Sequence, residues 1–430
     1  MNQILNLFKN RNFSLLWVGE LISLIGDQFY LIALPWLVLQ MTGDGLAVGT
    51  VLAVAGIPRA LFMLIGGALT DRFSARALML VSNIFRFILV SILAILVAFS
   101  LVQLWMIYFL ALAFGLADAF FYPAQNAIVP SLVEEKQLPS ANGIVHATAQ
   151  LSLLLGPVLA GWLIATTGGS VEAGSAVTST GGIALAFGID SITFLVSALT
   201  LSLIQVKAKE PTVENLKVQE ESVIGSIKKG LAFVWADETL RTFFILVIAI
   251  ANIINGVMAV GLPVLADGRF VDGAVAFGLM LSGLGAGSLI GTALAATLPS
   301  PPKGHLGTAI LLVTSVMAVG IMLLSWAPTS VTATAVTTTM GIASGYVNIT
   351  FITWLQRRTP EAMIGRMMSV LMFASIGLVP ISTALVGLLI SYNLPALFIG
   401  GGLVILAIIA YGMSKPVIRE MAIAPAFSNQ

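Results

Sequence analysis

The chain has 430 residues, of which 58% are hydrophobic and 9% charged, whereas soluble domains carry roughly 25% charged residues, so a water-soluble surface cannot be built from it. A net charge of +1 gives no footprint for a nucleic-acid partner. Absence of cysteine excludes disulfides, zinc-thiolate sites and thiol nucleophiles, and two distant histidines, His146 and His305, argue against a transition-metal site, so no cofactor is expected.

Lys9 and Arg11 precede an apolar run that superficially suits a signal peptide. That run contains Glu20 and Asp27 and no small-x-small cleavage site follows, so it reads as a retained first helix. Breaks at charge clusters, Pro and Gly predict spans near 14–40, 46–70, 77–99, 102–129, 141–166 and 182–205. A second set follows near 240–266, 272–298, 306–326, 331–356, 363–391 and 394–414. Each is long enough to cross a hydrocarbon core of about 30 Å as a helix. The fold class is therefore an all-α polytopic membrane protein of twelve transmembrane helices, with the bilayer as its main solvent.

With a cytoplasmic N-terminus, 17 of the 18 Lys and Arg in the loops or at span ends fall inside and only Arg269 falls outside. The positive-inside rule selects this orientation, with both termini in the cytoplasm and the protein multi-pass in the cytoplasmic membrane. Residues 206–239 form the longest polar stretch and divide the chain into a bundle at 1–205, a linker, a bundle at 240–414 and a tail at 415–430. Val223, Ile224, Ile227 and Leu231 recur at helical spacing, which predicts an amphipathic helix on the cytoplasmic face. The halves are weakly similar, as in repeat-built transporters: residues 126–143 and 348–366 each join a helix end to a charged, Pro-containing turn and a new helix.

After the second span the chain reads Gly67-Ala68-Leu69-Thr70-Asp71-Arg72-Phe73-Ser74-Ala75-Arg76. Gly67 permits close helix approach, Asp71 can accept from helix N-termini, and Arg72 and Arg76 can bind carboxylates or helix C-termini. This turn resembles the major facilitator signature G-x-x-x-D-R-x-G-R-[KR], departing from it at Ser74 and Ala75. In the fifth span Gly156, Pro157 and Gly161 are similar to the G-x-x-x-G-P-x-x-G-G pattern that this family associates with exporters exchanging substrate for protons. Gly283, Gly287 and Gly291 in the eighth span offer a small-residue stripe, expected to match the fifth span.

Three further stretches, Phe13–Trp17 with Ile22–Asp27, Asp118–Asn126 and Gly230–Trp235, resemble the branch that includes macrolide exporters and the enterobactin exporter. The resemblance covers nearly the whole chain. It implies two pseudo-symmetric six-helix bundles, a small-molecule substrate, no enzymatic activity and a monomer in the lipid bilayer. The fourth span lacks the arginine of the family's second signature, and the turn after the eighth has lost the Asp-Arg repeat, so any gate lock is expected to be asymmetric.

Charged side chains at the bilayer centre cost roughly 2.5 to 3.5 kcal/mol on insertion scales and so seek a partner or a wet cavity. Glu20, Asp27, Asp118, Asp190, Arg59, Arg86 and His146 all lie in the first six spans. Helix depth predicts pairing of Glu20 with Arg86 and of Asp27 with Arg59. Asp27, Asp190 and Arg59 are the expected proton-coupling group, with sodium as the alternative ion. Glu20, Arg86 and Asp118 are expected to brace the conformational lock, where Asp118 would meet Arg72 or Arg76. Tyr30, Tyr122, Gln125, Asn126, Gln150, Asn255 and Asn348 lie in helices that the resemblance implies line the substrate cavity, whose acidic lining and apolar walls suit a bulky amphiphile, neutral or cationic. Neither signature measures direction, so an importer or lipid flippase stays open beside the exporter. A receptor or intramembrane enzyme would need a catalytic constellation that the sequence lacks.

Overall fold

The computed structural model describes residues 7–70, 74–167, 181–205, 223–298, 304–360, 363, 367–368, 370–371, 374–375, 377–419 and 421, with only the backbone of 63–70, 135, 223–224, 226–228 and 230. All regular elements among them are helical. The first six are α1 (Arg11–Thr42), α2 (Gly45–Thr70), α3 (Ala75–Ala98), α4 (Leu104–Leu132), α5 (Leu138–Thr167) and α6 (Gly181–Leu203). A 14-residue helix, α7 (Val223–Ala236), falls where the linker periodicity predicts one. Then come α8 (Glu238–Arg269, with a π turn at Val257–Gly261), α9 (Gly273–Thr297), α10 (Leu306–Leu324) and α11 (Ser330–Arg358). The chain closes with α12 (Val379–Ile390), α13 (Leu394–Ser414) and the short α14 (Pro416–Arg419).

Ten of these helices are long and apolar enough to cross a membrane. Two more fall on the predicted tenth and eleventh spans: the threonine-rich α11, and α12, which is apolar but short. Helix ends follow local rules. The Asn10 side chain accepts from the Asn12 and Phe13 amides to start α1, and Gly43 ends it with φ 63°, a backbone region that favours glycine. Thr329 and Thr332 form a capping box at the start of α11.

The chain divides into two compact units. Residues 1–43 and 51–223 form the first, and residues 44–50 and 224–430 the second. In the first, α6 packs on α1 and α3, while α1 also packs on α5. A β-carbon at Gly26 would overlap the Thr193 side chain, which is why α1 and α6 can approach so closely there. Helix α3 reverses the order of a soluble protein. Its exposed stripe is Val81, Phe85, Ile88, Ile92 and Ile95, while Ser82, Asn83 and Arg86 are buried. An apolar exterior over a polar interior is what lipid as solvent selects.

The most extensive helix pair of the second unit is α9 with α11. Here the stripe of Gly283, Gly287 and Gly291 lies against Thr338, Gly341 and Ile342, and Gly341 and Gly345 face Leu284 and Ser288 in return. This corrects the expectation that the stripe serves the fifth span: small residues on both partners let α9 and α11 approach at backbone distance. Gly156 of α5 faces the aliphatic part of Gln28 on α1, and Pro157 and Gly161 are also buried.

Candidate functional site

Asp118 on α4 is the centre of the buried charge in the first unit. One of its oxygens receives Arg59 Nη2 of α2 at 2.5 Å and the other pairs with Arg86 of α3. Arg86 is 1% exposed. Its guanidinium carbon lies 4.0 Å from the Phe121 ring centroid, 5.3 Å from Phe194 and 5.7 Å from Phe114. Cation–π contacts with several rings supplement the single ion pair in a place water cannot reach. Phe114, Asp118 and Phe121 stand at i, i+4 and i+7, so α4 presents the carboxylate and two of its aromatic neighbours on one face. Arg59 is less enclosed, with 30% of its side chain exposed, and lies 5.9 Å from the Tyr122 ring.

The depth pairs expected from the sequence do not form. Arg59 and Arg86 both turn to Asp118, so Asp118 does not serve Arg76. Glu20 instead accepts a hydrogen bond from Gln125 Nε2, while its second oxygen has no hydrogen-bond partner among the described residues. Asp27 is half-buried, and the charges of Arg86, Asp118 and Arg59 act on it. Arg76 donates from Nε to the Leu201 carbonyl at 2.7 Å and from Nη2 to the Ser202 carbonyl at 2.5 Å, so it caps the C-terminal end of α6. Asp71 and Arg72 lie outside the described residues, and Gly67 is described only as part of α2.

Asp190 on α6 is completely buried, and neither carboxyl oxygen has a hydrogen-bond partner among the described residues. The neighbouring Thr193 hydroxyl has one proton and donates it to the Asp190 backbone carbonyl at 2.7 Å. The charges that act on Asp190 are Asp27 of α1, Arg86 of α3 and Asp118 of α4. Four carboxyls therefore share this interior with two guanidiniums, and the two guanidiniums converge on one carboxyl.

Of the expected cavity residues, Tyr30 is buried, stacked on Phe114 at 4.3 Å and edge-on to Phe187 at 5.8 Å, which makes it part of the aromatic core. Gln125 belongs to the Glu20 pair, Tyr122 and Gln150 are half-buried, and Asn126 is exposed. Asn255 and Asn348 line one cavity inside the second unit, of about 300 Å3.

Two arrangements carry no motif in the sequence. Asn83 donates to Ser197 Oγ at 2.9 Å, tying α3 to α6. Asp237 caps α8 by accepting from the Leu240 amide at 3.0 Å and receives Arg358 Nη2 at 2.7 Å. Partial burial acts to raise the Asp237 pKa, but the Leu240 amide and the Arg358 guanidinium outweigh it and hold the carboxyl below its usual range.

A family model described as Major Facilitator Superfamily matches residues 16–379. The multidrug efflux pump Tap of Mycobacterium tuberculosis is 24% identical over 424 residues, covering 96% of this chain and 95% of that protein. Macrolide efflux protein A of Streptococcus pyogenes is 24% identical over 279 residues, 63% of this chain and 65% of that protein. Among solved structures, a nucleoside transporter, NupG, superposes with a TM-score of 0.67 at 12% identity, covering 96% of this chain and 99% of its own. A proton-dependent oligopeptide transporter gives 0.68 at 13% identity with the same coverage. At these identities the structural likeness speaks for the fold.

Proposed function

We propose that this chain, which belongs to the Major Facilitator Superfamily and is a transporter and not an enzyme, exports amphiphilic small molecules of drug, macrolide or siderophore type by alternating access in exchange for protons. It acts as a monomer in the cytoplasmic membrane, with both termini inside. The names of the efflux-pump relatives support the direction. The export-type pattern at Gly156, Pro157 and Gly161 supports it further.

The observation that carries proton exchange is the placement of counter-charges. Both arginines are committed to Asp118, while Asp27 is half-buried and Asp190 has no hydrogen-bond partner among the described residues. Ionising either one would set it in competition with Asp118 for Arg59 or Arg86. Proton loss and helix rearrangement are thereby coupled through shared guanidiniums. One proton crossing 100 mV is worth about 2.3 kcal/mol, enough to hold a concentration ratio of roughly fifty.

The test is accumulation of ethidium and erythromycin in cells expressing wild type, Asp190→Asn or Asp27→Asn, with and without a protonophore. Wild type should lower accumulation only while the proton gradient stands, and Asp190→Asn should lose that gradient-dependent part at equal expression. Normal export by Asp190→Asn removes the role from Asp190 and leaves it with Asp27. Dependence on sodium alone replaces the coupling ion, and raised accumulation reverses the direction.

A further inference from the structure

The cavity inside the second unit is lined by α8, α10, α11 and by Leu371 and Ser375. Its volume of about 300 Å3 reaches the lower end of the range for small-molecule sites, roughly 300–1,000 Å3. Its wall is mainly aliphatic, with polar side chains Asn255, Thr314, Ser344, Asn348 and Ser375. No ionisable side chain is present among its described lining residues. An ion entering it would find no counter-charge, at a desolvation cost that neutral hydrogen-bonding groups escape when partners are waiting.

Partners are waiting here. Asn255 and Asn348 are both exposed, and neither amide makes a hydrogen bond among the described residues, so each offers a donor pair and an acceptor. The Thr314 hydroxyl gives its proton to the Ile310 carbonyl at 2.7 Å and so presents an acceptor to the cavity. Asn252, 92% buried, fixes the wall by donating to the carbonyls of Ile248 at 3.0 Å and Ala374 at 3.4 Å. Met317 and Thr314, both on α10, carry the cavity into the interior of the unit. Neither residue was singled out from the sequence.

We infer that this cavity is a binding subsite for an uncharged amphiphile, or for the uncharged part of one: a ring or alkyl body carrying amide, carbonyl or hydroxyl groups. Asn255 and Asn348 read those polar groups, and Thr314 and Met317 set the size of body accepted. The inference narrows the substrate class of the proposed exporter and rests on that reading for the ligand's fate, but not for its binding.

Equilibrium binding of radiolabelled chloramphenicol, an uncharged ring with an amide and two hydroxyls, to the purified full chain in nanodiscs tests it without any gradient. Wild type should bind saturably, and tetraphenylphosphonium, a bulky cation, should not displace the label. Met317→Trp, which fills the cavity, should weaken binding by about tenfold to a hundredfold. Thr314→Val, which keeps the volume and removes one polar atom, should weaken it by about tenfold or less. The second variant decides the matter if the first fails to fold. Absent saturable binding, full displacement by the cation, or affinity indifferent to both substitutions overturns the inference. Intact, substitution-sensitive binding without export overturns the exporter reading alone.

Discussion

The two units solve the problem of polarity inside a membrane in opposite ways. The first buries three carboxyls and Arg86 beside phenylalanine rings and half-buries Asp27 and Arg59. The second holds its most extensive helix contact together with glycine and threonine and keeps its cavity free of charge. A charged interior responds to protons but depends on every counter-charge staying in place. A neutral, glycine-packed interior responds to shape and to hydrogen-bonding pattern. Coupling to an ion gradient and recognition of a substrate call for these two different materials, and the proposed export mechanism assigns them to different units.

The largest effect that sharpens this contrast is expected at Asp118. Asp118→Asn strips Arg86 of its counter-charge in a site 1% exposed, and breaking a buried pair in this way costs about 3–5 kcal/mol. Reversible denaturation in mixed micelles, followed through the seven tryptophans, measures it, and the double variant with Arg86→Met should recover most of the loss. A loss below about 1 kcal/mol, the range of an exposed pair, would mean the first unit is not built on its charges.

An intermediate effect is expected at Gly287, where a side chain would run into the Thr338 backbone. Gly287→Leu should cost about 1–3 kcal/mol by overpacking, read by the same denaturation, whereas Leu at the open position Gly400 should be near neutral. Equal effects at both sites would deny that glycine packing carries the second unit.

The smallest effect is expected at the Asp237–Arg358 ion pair of the second unit. Asp237 and Arg358 are 28% and 20% exposed, so Asp237→Asn, which keeps the helix cap, should cost about 0.2–1 kcal/mol. Because the Asp237 pKa is lowered in the folded chain, the contribution is complete above the usual carboxylate range. It is lost as pH falls through the lowered value. Denaturation curves of wild type and variant should therefore differ at pH 7 and converge in acid.

Much of the architecture was legible because length and apolarity alone decide whether a segment spans. The α11 span could be placed despite its threonines because Trp326–Thr329 and Arg357–Thr359 bracket it with boundary residues. Rotation about each helix axis was not legible. The spans are apolar on nearly all sides, so no periodicity marks the inward face, and depth alone paired Glu20 with Arg86 and Asp27 with Arg59. The structure instead brings both arginines to Asp118. A signal for that face existed in Phe114, Asp118 and Phe121 at heptad spacing, since aromatic rings flanking a carboxylate on one helix face can enclose an arginine paired to it. Asn255 and Asn348 could be assigned to a cavity because they are polar residues on helices that line the cavity of the family the sequence resembles. Thr314 and Met317 could not, because threonine and methionine are ordinary residues of such helices.

Helix α11 is too rich in threonine, serine and glycine to stand among the ten segments apolar enough to span by themselves. A segment of this kind partitions poorly from the insertion machinery unless a partner covers its polar stripe. Its partner α9 precedes it in the chain and is synthesised first, so the glycine stripe supplies an assembly template as well as a packed interface. Gly287→Leu should accordingly lower the amount of correctly inserted protein as well as its stability once made.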